Sequence, residues 1–493
     1  MLRTVSPQPS LWEVLLPEAC LRMPAELAAV SRLLDDAAFF APYRAYFSPT
    51  HGRPSIPIET YLRLMFLKFR YHLSYEVLCA EVADSVSWCR FARIPFGTPV
   101  PHPTTLMKIT TRCGQATIAQ LNETLLAKAA DAKVLKLDKV RADTTVVEAN
   151  VTYPTDSGLL AKAVGRIARL VERIHGAGGA RRTKVRDRRR AAGRRARDIA
   201  ANLKLRNDDA KEAVRRINAE LATLAATAAA DAADIVRNAR RKLAKGGKGA
   251  TAQLRALVAE LEATLVLTSV VVAQTRSRLG GVMPDGATRV VSLHDPDARP
   301  IAKGRLGKPV EFGYKAQVVD NADGIVVDHT VMLGNPPDAP QLAPAIARIK
   351  ARFAKAPKAV TADRGYGEAA VEAEIRLLGV TKVVVPRKGR PNAERRGVEG
   401  ARPFRRMVRW RTGCEGRISH LKHGYAWDRT LVDGLAGAQT WCGLGVLAHN
   451  SVKIARLIDA KAVTKEVTAA KRRLRQTAAT DPPPAPPVPS PMR

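Results

Sequence analysis

Val310-Glu311-Phe312-Gly313-Tyr314-Lys315-Ala316-Gln317-Val318 alternates apolar residues with polar or small ones. Successive side chains of a strand point to opposite faces, so this pattern dictates a half-buried β-strand. Asp320-Asn321-Ala322-Asp323-Gly324 is turn chemistry, and Ile325 to Leu333 reads as the return strand of a hairpin. Downstream, Asn335 or Asp338 caps a helix bearing Leu342, Ile346, Ile349 and Phe353. Ala359 to Asp363 is a short strand, and Gly365 lets the chain turn. Val371, Ile375 and Leu378 mark a second helix, which Gly379 stops. Lys382 to Val385 is another strand, ended by Pro386. Upstream, Val134 to Asp143 is a mixed apolar and polar run that reads as a strand ending in Asp143-Thr144-Thr145.

The resulting order is strand, strand, strand, helix, strand, helix, strand, helix. It is the order of a ribonuclease-H-like fold, a five-stranded mixed sheet with helices on both faces. In such a sheet the first and fourth strands are neighbours, so their carboxyl ends bring Asp143 and Asp363 together. The last helix carries Arg411-Thr412-Gly413-Cys414-Glu415-Gly416-Arg417-Ile418-Ser419-His420-Leu421-Lys422. Offsets of minus four and plus seven put Arg411 and Lys422 on the face of Glu415, about 6 Å and 10 Å either side of it. Alone, this pattern describes a solvated salt-bridge face. With Asp143 and Asp363 it supplies a third carboxylate. Three carboxylates suit two hard divalent cations about 3.5 to 4 Å apart, clamping the attacking and leaving oxygens of a phosphodiester.

Between the first and second strands, residues 157–285 carry apolar residues at helical spacing: Leu160, Val164, Ile167, Val171 and Ile174, then Val214, Ile217, Leu221 and Leu224, then Leu254, Leu257, Leu261 and Leu265. Gly176–Gly179 and Gly246–Gly249 break them. The expectation is long helices packed as a hairpin or coiled coil, inserted into the sheet domain. Within it, Arg181 to Arg190 with Arg194 and Arg195 is intensely basic, which favours contact with a polyanion. Residues 1–125 read as an all-helical domain. Pro57 opens one helix, Ser74 caps a second through Val77, Leu78, Val82 and Val86, and Thr104 or Thr105 caps a third. Arg70, Arg90, Arg93, Lys108 and Arg112 among these helices suggest a helix-turn-helix-like DNA-binding module. The sheet domain then takes 130–156 and 286–460, and 461–493 is a basic, Pro-rich, disordered tail. Near the start, Leu11, Trp12, Val14, Leu15 and Leu16 form an apolar patch.

The balance of 81 Lys and Arg against 46 Asp and Glu gives a formal net charge of +35, a field that points to nucleic acid. No long apolar span, signal peptide or lipidation motif is read, so a membrane is not the expected partner. Six scattered cysteines without a zinc-ligand pair indicate a reducing, cytoplasmic compartment. Aromatics at 5% are too sparse for a base-stacking sheet.

Asp143-Thr144-Thr145-Val146-Val147-Glu148-Ala149-Asn150 and the following Val151 to Leu159 resemble the first-aspartate block of insertion-sequence transposases of the D-D-E class. Thr361-Ala362-Asp363-Arg364-Gly365-Tyr366 resembles the second block, and Gly334 to Asp338 the loop before the intervening helix. Arg411, Glu415 and Lys422 match the third, although its Tyr position is Val408 here. The helices around Pro57 to Cys113 are similar to the domain such transposases carry ahead of the catalytic core. The resemblance implies that Asp143, Asp363 and Glu415 hold two Mg²⁺ or Mn²⁺ ions. Water then frees a 3′-OH at the element's end, and that hydroxyl attacks target DNA. Arg411, Lys422 and, more weakly, Arg364 would grip phosphates. Implied partners are double-stranded DNA and further copies of the chain, in a dimer or larger assembly, in the bacterial cytoplasm on nucleoid DNA. The competing classes are a basic DNA-binding regulator or inactive transposase remnant, and a resolvase-like or repair nuclease that cuts without strand transfer.

Overall fold

The structure is a computed structural model describing residues 1–5, 14–15, 17–205, 207–246, 251–303, 307 and 309–480. Of the sequence readings, Leu11, Trp12 and Leu16, Gly247–Gly249 and the Pro-rich 481–493 lie outside these. The chain begins with helices α1 (Glu18–Leu21), α2 (Ala25–Leu34), α3 (Ile58–Arg70), α4 (Tyr75–Asp84), α5 (Val86–Phe91) and α6 (Pro103–Asp131). Strand β1 (Lys139–Ala149) follows. Helices α7 (Asp156–Gly176), α8 (Arg189–Asn202), α9 (Asp208–Ala244) and α10 (Ala252–Leu279) then intervene. The chain returns through β2 (Arg299–Ala302), β3 (Val310–Asn321), β4 (Val326–Met332), α11 (Ala339–Phe353), β5 (Ala359–Thr361), α12 (Ala369–Leu377) and β6 (Lys382–Val384). It ends with α13 (Ala393–Gly400), α14 (Arg402–Gly424), β7 (Arg429–Thr430) and α15 (Gly434–Thr480).

The result is a mixed α/β fold around one mixed sheet, ordered β2-β3-β1-β5-β6, with β4 also on β3 and β7 also on β1. Among the described residues the sheet has seven strands rather than the five expected, because β2 and β7 are too short for any periodicity to register. The first strand also differs from its reading. It starts at Lys139 and runs through Asp143 to Ala149, so Asp143 sits mid-strand. Asp-Thr-Thr is turn-like in isolation, but β3 pairs with β1 antiparallel from Val140↔Asn321 to Glu148↔Gly313, and tertiary pairing overrides the local preference. On its other edge β1 is parallel to β5 at residues 139–141 and to β7 at residues 148–149. Between these contacts that edge has no strand partner among the described residues, and α14 lies across it.

A buried carboxylate and two arginines fix α14 there. Asp320 on β3 is fully buried and faces Arg141 across the ladder. Arg141 Nε and Nη2 donate to its two carboxylate oxygens at 2.8 and 2.9 Å, and Arg417 Nε, from α14, donates at 3.2 Å. Arg141 also donates to the Trp410 carbonyl at 2.8 Å, with its guanidinium 4.7 Å from the centre of the Trp410 ring. A Cβ on Gly413 would stand 2.4 Å from Arg141 Nη1, so a larger residue there would push this guanidinium from its place against Asp320. Val408, where the family resemblance leads one to expect Tyr, packs with Ala359, Val384, Phe404 and Met407 beneath the same helix.

One large apolar core joins the amino-terminal helices, the sheet and α15. Asn450 of α15 accepts from the Val326 N–H at 3.0 Å and donates to its carbonyl at 2.8 Å, as a neighbouring strand would. In the amino-terminal helices, the stretch read as one helix from Val77 to Val86 is two, because Ser85 caps α5 by accepting from the Trp88 N–H. His102, rather than Thr104 or Thr105, caps α6. Helices α7 to α10 pack on one another around two apolar clusters of their own. Contrary to the expectation of no long apolar span, α10 is long and apolar enough, by length and composition, to cross a membrane. Leu254, Leu257, Leu261, Val271 and Val272 of this helix are buried in the core of the bundle, while Val266 and Val270 are exposed. Helix α15 continues to Thr480, well beyond residue 461, where the sequence reading begins its disordered tail.

Removing one partner of a buried ion pair leaves charge stranded in low dielectric, at a cost of about 3 to 5 kcal/mol. Asp320→Ala leaves two guanidiniums without their shared acceptor. It should lower the unfolding free energy by that amount in denaturant titrations, and a loss below about 1 kcal/mol would show that the clamp is dispensable.

Candidate active site

Asp143 stands in the gap along the edge of β1. The parallel register ends at Arg141↔Thr361, and Asp143 and Asp363 each lie two residues beyond it, on the same side of neighbouring strands. The Asp143 carboxyl is pushed up from an ordinary 3.8 to about 6. Burial is the main cause. The negative charges of Asp363 and Glu415 add to it, while the Thr144 N–H, donating at 2.8 Å, and the Arg411 charge oppose it. Asp363 is likewise raised, by burial and by Asp338, against donation from the Gly365 N–H at 2.9 Å.

Asp338 is the residue that sequence reasoning misassigned. It precedes α11 and reads as a helix cap, but its own backbone is helical and its side chain caps nothing. Instead it accepts from Thr144 Oγ1 at 3.0 Å and pairs with Lys315 at 2.8 Å. A Cβ on Gly365 would stand 3.0 Å from Asp363 Oδ1 and 3.6 Å from Asp338 Oδ2, so both carboxylates flank a position kept bare by glycine. The signal available in sequence was the second candidate cap at Asn335, which left Asp338 open for other work.

From α14, Arg411 reaches into this group. Its guanidinium lies 3.3 Å from Asp143 Oδ2 and 3.7 Å from Glu415 Oε1. The structure therefore brings together Asp143, Asp363, Arg411 and Glu415. Glu415 is at the rim, with a side chain 71% exposed. Lys422 is half-buried and Arg364 is exposed. Glu148 pairs with Arg429 at 3.3 Å. Of the tryptophans, Trp427 and Trp441 are buried and donate to the carbonyls of Cys442 and Ala426. In the amino-terminal helices, Arg70 pairs with Glu26, Arg93 with Asp35, and Arg90 donates to the Leu21 carbonyl. Lys108 and Arg112 are exposed.

The donor chemistry fits a hard divalent cation, since mutually repelling carboxylates around a buried acid are relieved by positive charge. Arg411 supplies that charge here. As arranged, no three His, Cys, Asp or Glu among the described residues form a group that could hold a metal ion. Glu415 would have to swing in from solvent, with Arg411 yielding its place.

Two comparisons with known families match. Residues 17–112 match the Transposase domain (DUF772) family and residues 285–451 the Transposase DDE domain family. Nothing matches among curated proteins or solved structures.

The raised Asp143 carboxyl sets a pH signature for the metal-free protein. A folded value above the unfolded one favours folding below about pH 4, and that contribution is lost as pH rises through about 6. Asp143→Asn should therefore gain stability over wild type between about pH 4 and 6, by up to about 3 kcal/mol, and hold the gain above. Denaturant midpoints measured with a chelator present give the answer, and a gap that ignores pH would mean that Asp143 titrates normally.

Proposed function

The chain belongs to the insertion-sequence DDE transposases, and we propose that it cuts phosphodiester bonds at the ends of a mobile element and joins the freed 3′-OH to target DNA. The observation that carries this reading is the meeting of Asp143, Asp363 and Glu415 around Arg411, at an open stretch of the central strand. In this reading the sheet is a ribonuclease-H-like core. The antiparallel β4, β3 and β1 followed by the parallel β5 and β6 support it, with β2 and β7 as short additions.

Asp143, Asp363 and Glu415 would hold two Mg²⁺ or Mn²⁺ ions, which supply Lewis-acid activation of the attacking oxygen and stabilise the leaving one. The chain's own residues do the rest. Arg411, which pairs with Asp143 and Glu415 here, would hold a phosphate beside the scissile bond when those carboxylates are otherwise engaged. Lys422 and Arg364 hold the flanking backbone by charge-assisted contacts. Asp338 keeps Thr144 and Lys315 in place behind Asp363. Residues 1–125 form an amino-terminal DNA-binding unit, and 157–285 a helical insertion in the catalytic domain. Two ends are processed together by a dimer or larger assembly in the cytoplasm.

Asp143→Ala and Glu415→Ala test the assignment. Each removes several kcal/mol of transition-state stabilisation, so Mg²⁺-dependent strand cleavage should fall by about a thousandfold or more. Binding of the same DNA by gel shift should change less than about threefold, because carboxylates add nothing to phosphate affinity. Variants that cut at the wild-type rate would remove these residues from the site.

A further inference from the structure

Beyond the end of β1, a groove of about 580 Å³ runs between the first helix of the insertion and the segment before β2. Its wall is one face of α7. Lys162, Arg166, Arg169 and Arg173 follow one another at offsets of four, three and four, which places them in a single row about 16 Å long. Like charges at these spacings cost a helix a few tenths of a kcal/mol per pair, so the row works against α7 unless an anion lies along it. Glu260 is the single carboxylate lining the groove among the described residues, and it serves Arg166 at 3.2 Å and Arg173 at 3.8 Å. Lys162 donates to the Thr152 hydroxyl at 2.8 Å. Arg169 is exposed and has no ion pair among the described residues.

At the mouth stands Tyr153, 79% exposed. Its ring meets Phe312 of β3 edge to face, with centroids 5.6 Å apart at 90°. A large aromatic held upright in water beside a row of cations is the combination by which proteins bind unpaired nucleic acid. The cations follow the phosphates, and the ring offers a platform to a base. A duplex would engage the row but has no exposed base face for the ring. The seven residues of β1 from Asp143 to Ala149 span about 20 Å, so the groove, whose lining starts at Val151 just past the strand, lies within reach of one continuous DNA chain.

We propose that this groove binds a single-stranded segment of DNA next to the cleavage site, with Lys162 and Arg169 on phosphates and Tyr153 stacked on a base. The proposal rests on the transposase reading and names a surface for its substrate. Lys162→Glu with Arg169→Glu and, separately, Tyr153→Ala are made in the full chain. Binding is measured by fluorescence anisotropy against an oligothymidine of about 20 nucleotides and a duplex of the same length, across a salt series. The double charge reversal should weaken oligothymidine binding about ten- to hundredfold. It should reduce the slope of log affinity against log salt by about 1.4, the value for two phosphate contacts on a single strand. Tyr153→Ala should weaken it about five- to hundredfold and leave that slope unchanged. The duplex should be less affected by either.

Should charge reversal disturb α7, as a lowered thermal midpoint would show, Lys162→Gln with Arg169→Gln carries the same expectation. Folded variants that bind oligothymidine like wild type overturn the groove, as does an equal loss for duplex and oligothymidine. Wild type that binds duplex but not oligothymidine overturns the groove alone. Wild type that binds no DNA overturns the transposase reading with it.

Discussion

The arrangement depends on Asp320. Its carboxylate is fully buried and shared by Arg141 across the β1–β3 ladder and Arg417 from α14. A buried ion pair gives little net stability over apolar packing, but it is directional, and misplacing any member strands a charge. Two arginines on different elements must therefore converge on one acidic point. Each lies two residues from a member of the candidate site: Arg141 from Asp143, Arg417 from Glu415. Fixing the clamp fixes how the helix lies over the strand, and so how Arg411 and Glu415 approach the aspartates.

That helix can sit where it does because the sheet leaves room for it. β5 and β7 both run parallel to β1 along the same edge but cover only its two ends. In the stretch between, the Arg411 to Lys422 sequence resolves into two jobs. Gly413 admits the Arg141 guanidinium, Cys414 and Leu421 are buried, and Arg417 reaches the clamp. Arg411 and Glu415 are left on the side facing Asp143. A glycine inside a helix costs about 1 kcal/mol relative to alanine, which this close approach offsets. The same stretch therefore carries both the chemistry and the means of aiming it.

What the sequence disclosed follows from which forces are local. The hairpin of β3 and β4 was legible because its alternation and its turn residues agree, and α11 because its apolar spacing is regular. Asp363 was legible because a short buried strand ends just before it. Asp143 was read at a strand end but sits mid-strand, since only the antiparallel partner keeps Thr144 to Ala149 extended. Asp338 was hidden for a related reason. Asp before a helix usually caps it, and nothing local reveals that Thr144 and Lys315 claim its side chain instead. The clamp itself was out of reach, because Arg141, Asp320 and Arg417 are united only by a fold that crosses the long helical insertion.

The net charge of +35 has to be divided before it says anything about a partner. Arg63, Arg70 and Arg93 are held by acids in the amino-terminal helices, Arg348 and Arg352 by Asp328, and Arg387 and Arg395 by Glu372. Even in the basic run of the insertion, Arg188, Arg189 and Arg195 are paired with Asp231, Glu172 and Glu220. These arginines hold the protein to itself, and the field they contribute is largely cancelled by their partners at short range. The surplus that remains to attract a polyanion lies elsewhere. Arg182, Lys184, Arg186, Arg190 and Arg194 have no ion pair among the described residues, and neither does Arg169 on α7. These belong to the insertion, but Lys108 and Arg112 in the amino-terminal helices and Arg402, Arg405, Arg406 and Arg409 on α14 are likewise exposed with no ion pair among the described residues. The surplus is therefore shared among all three parts, while the carboxylates at the gap in β1 keep their own local balance with Arg411.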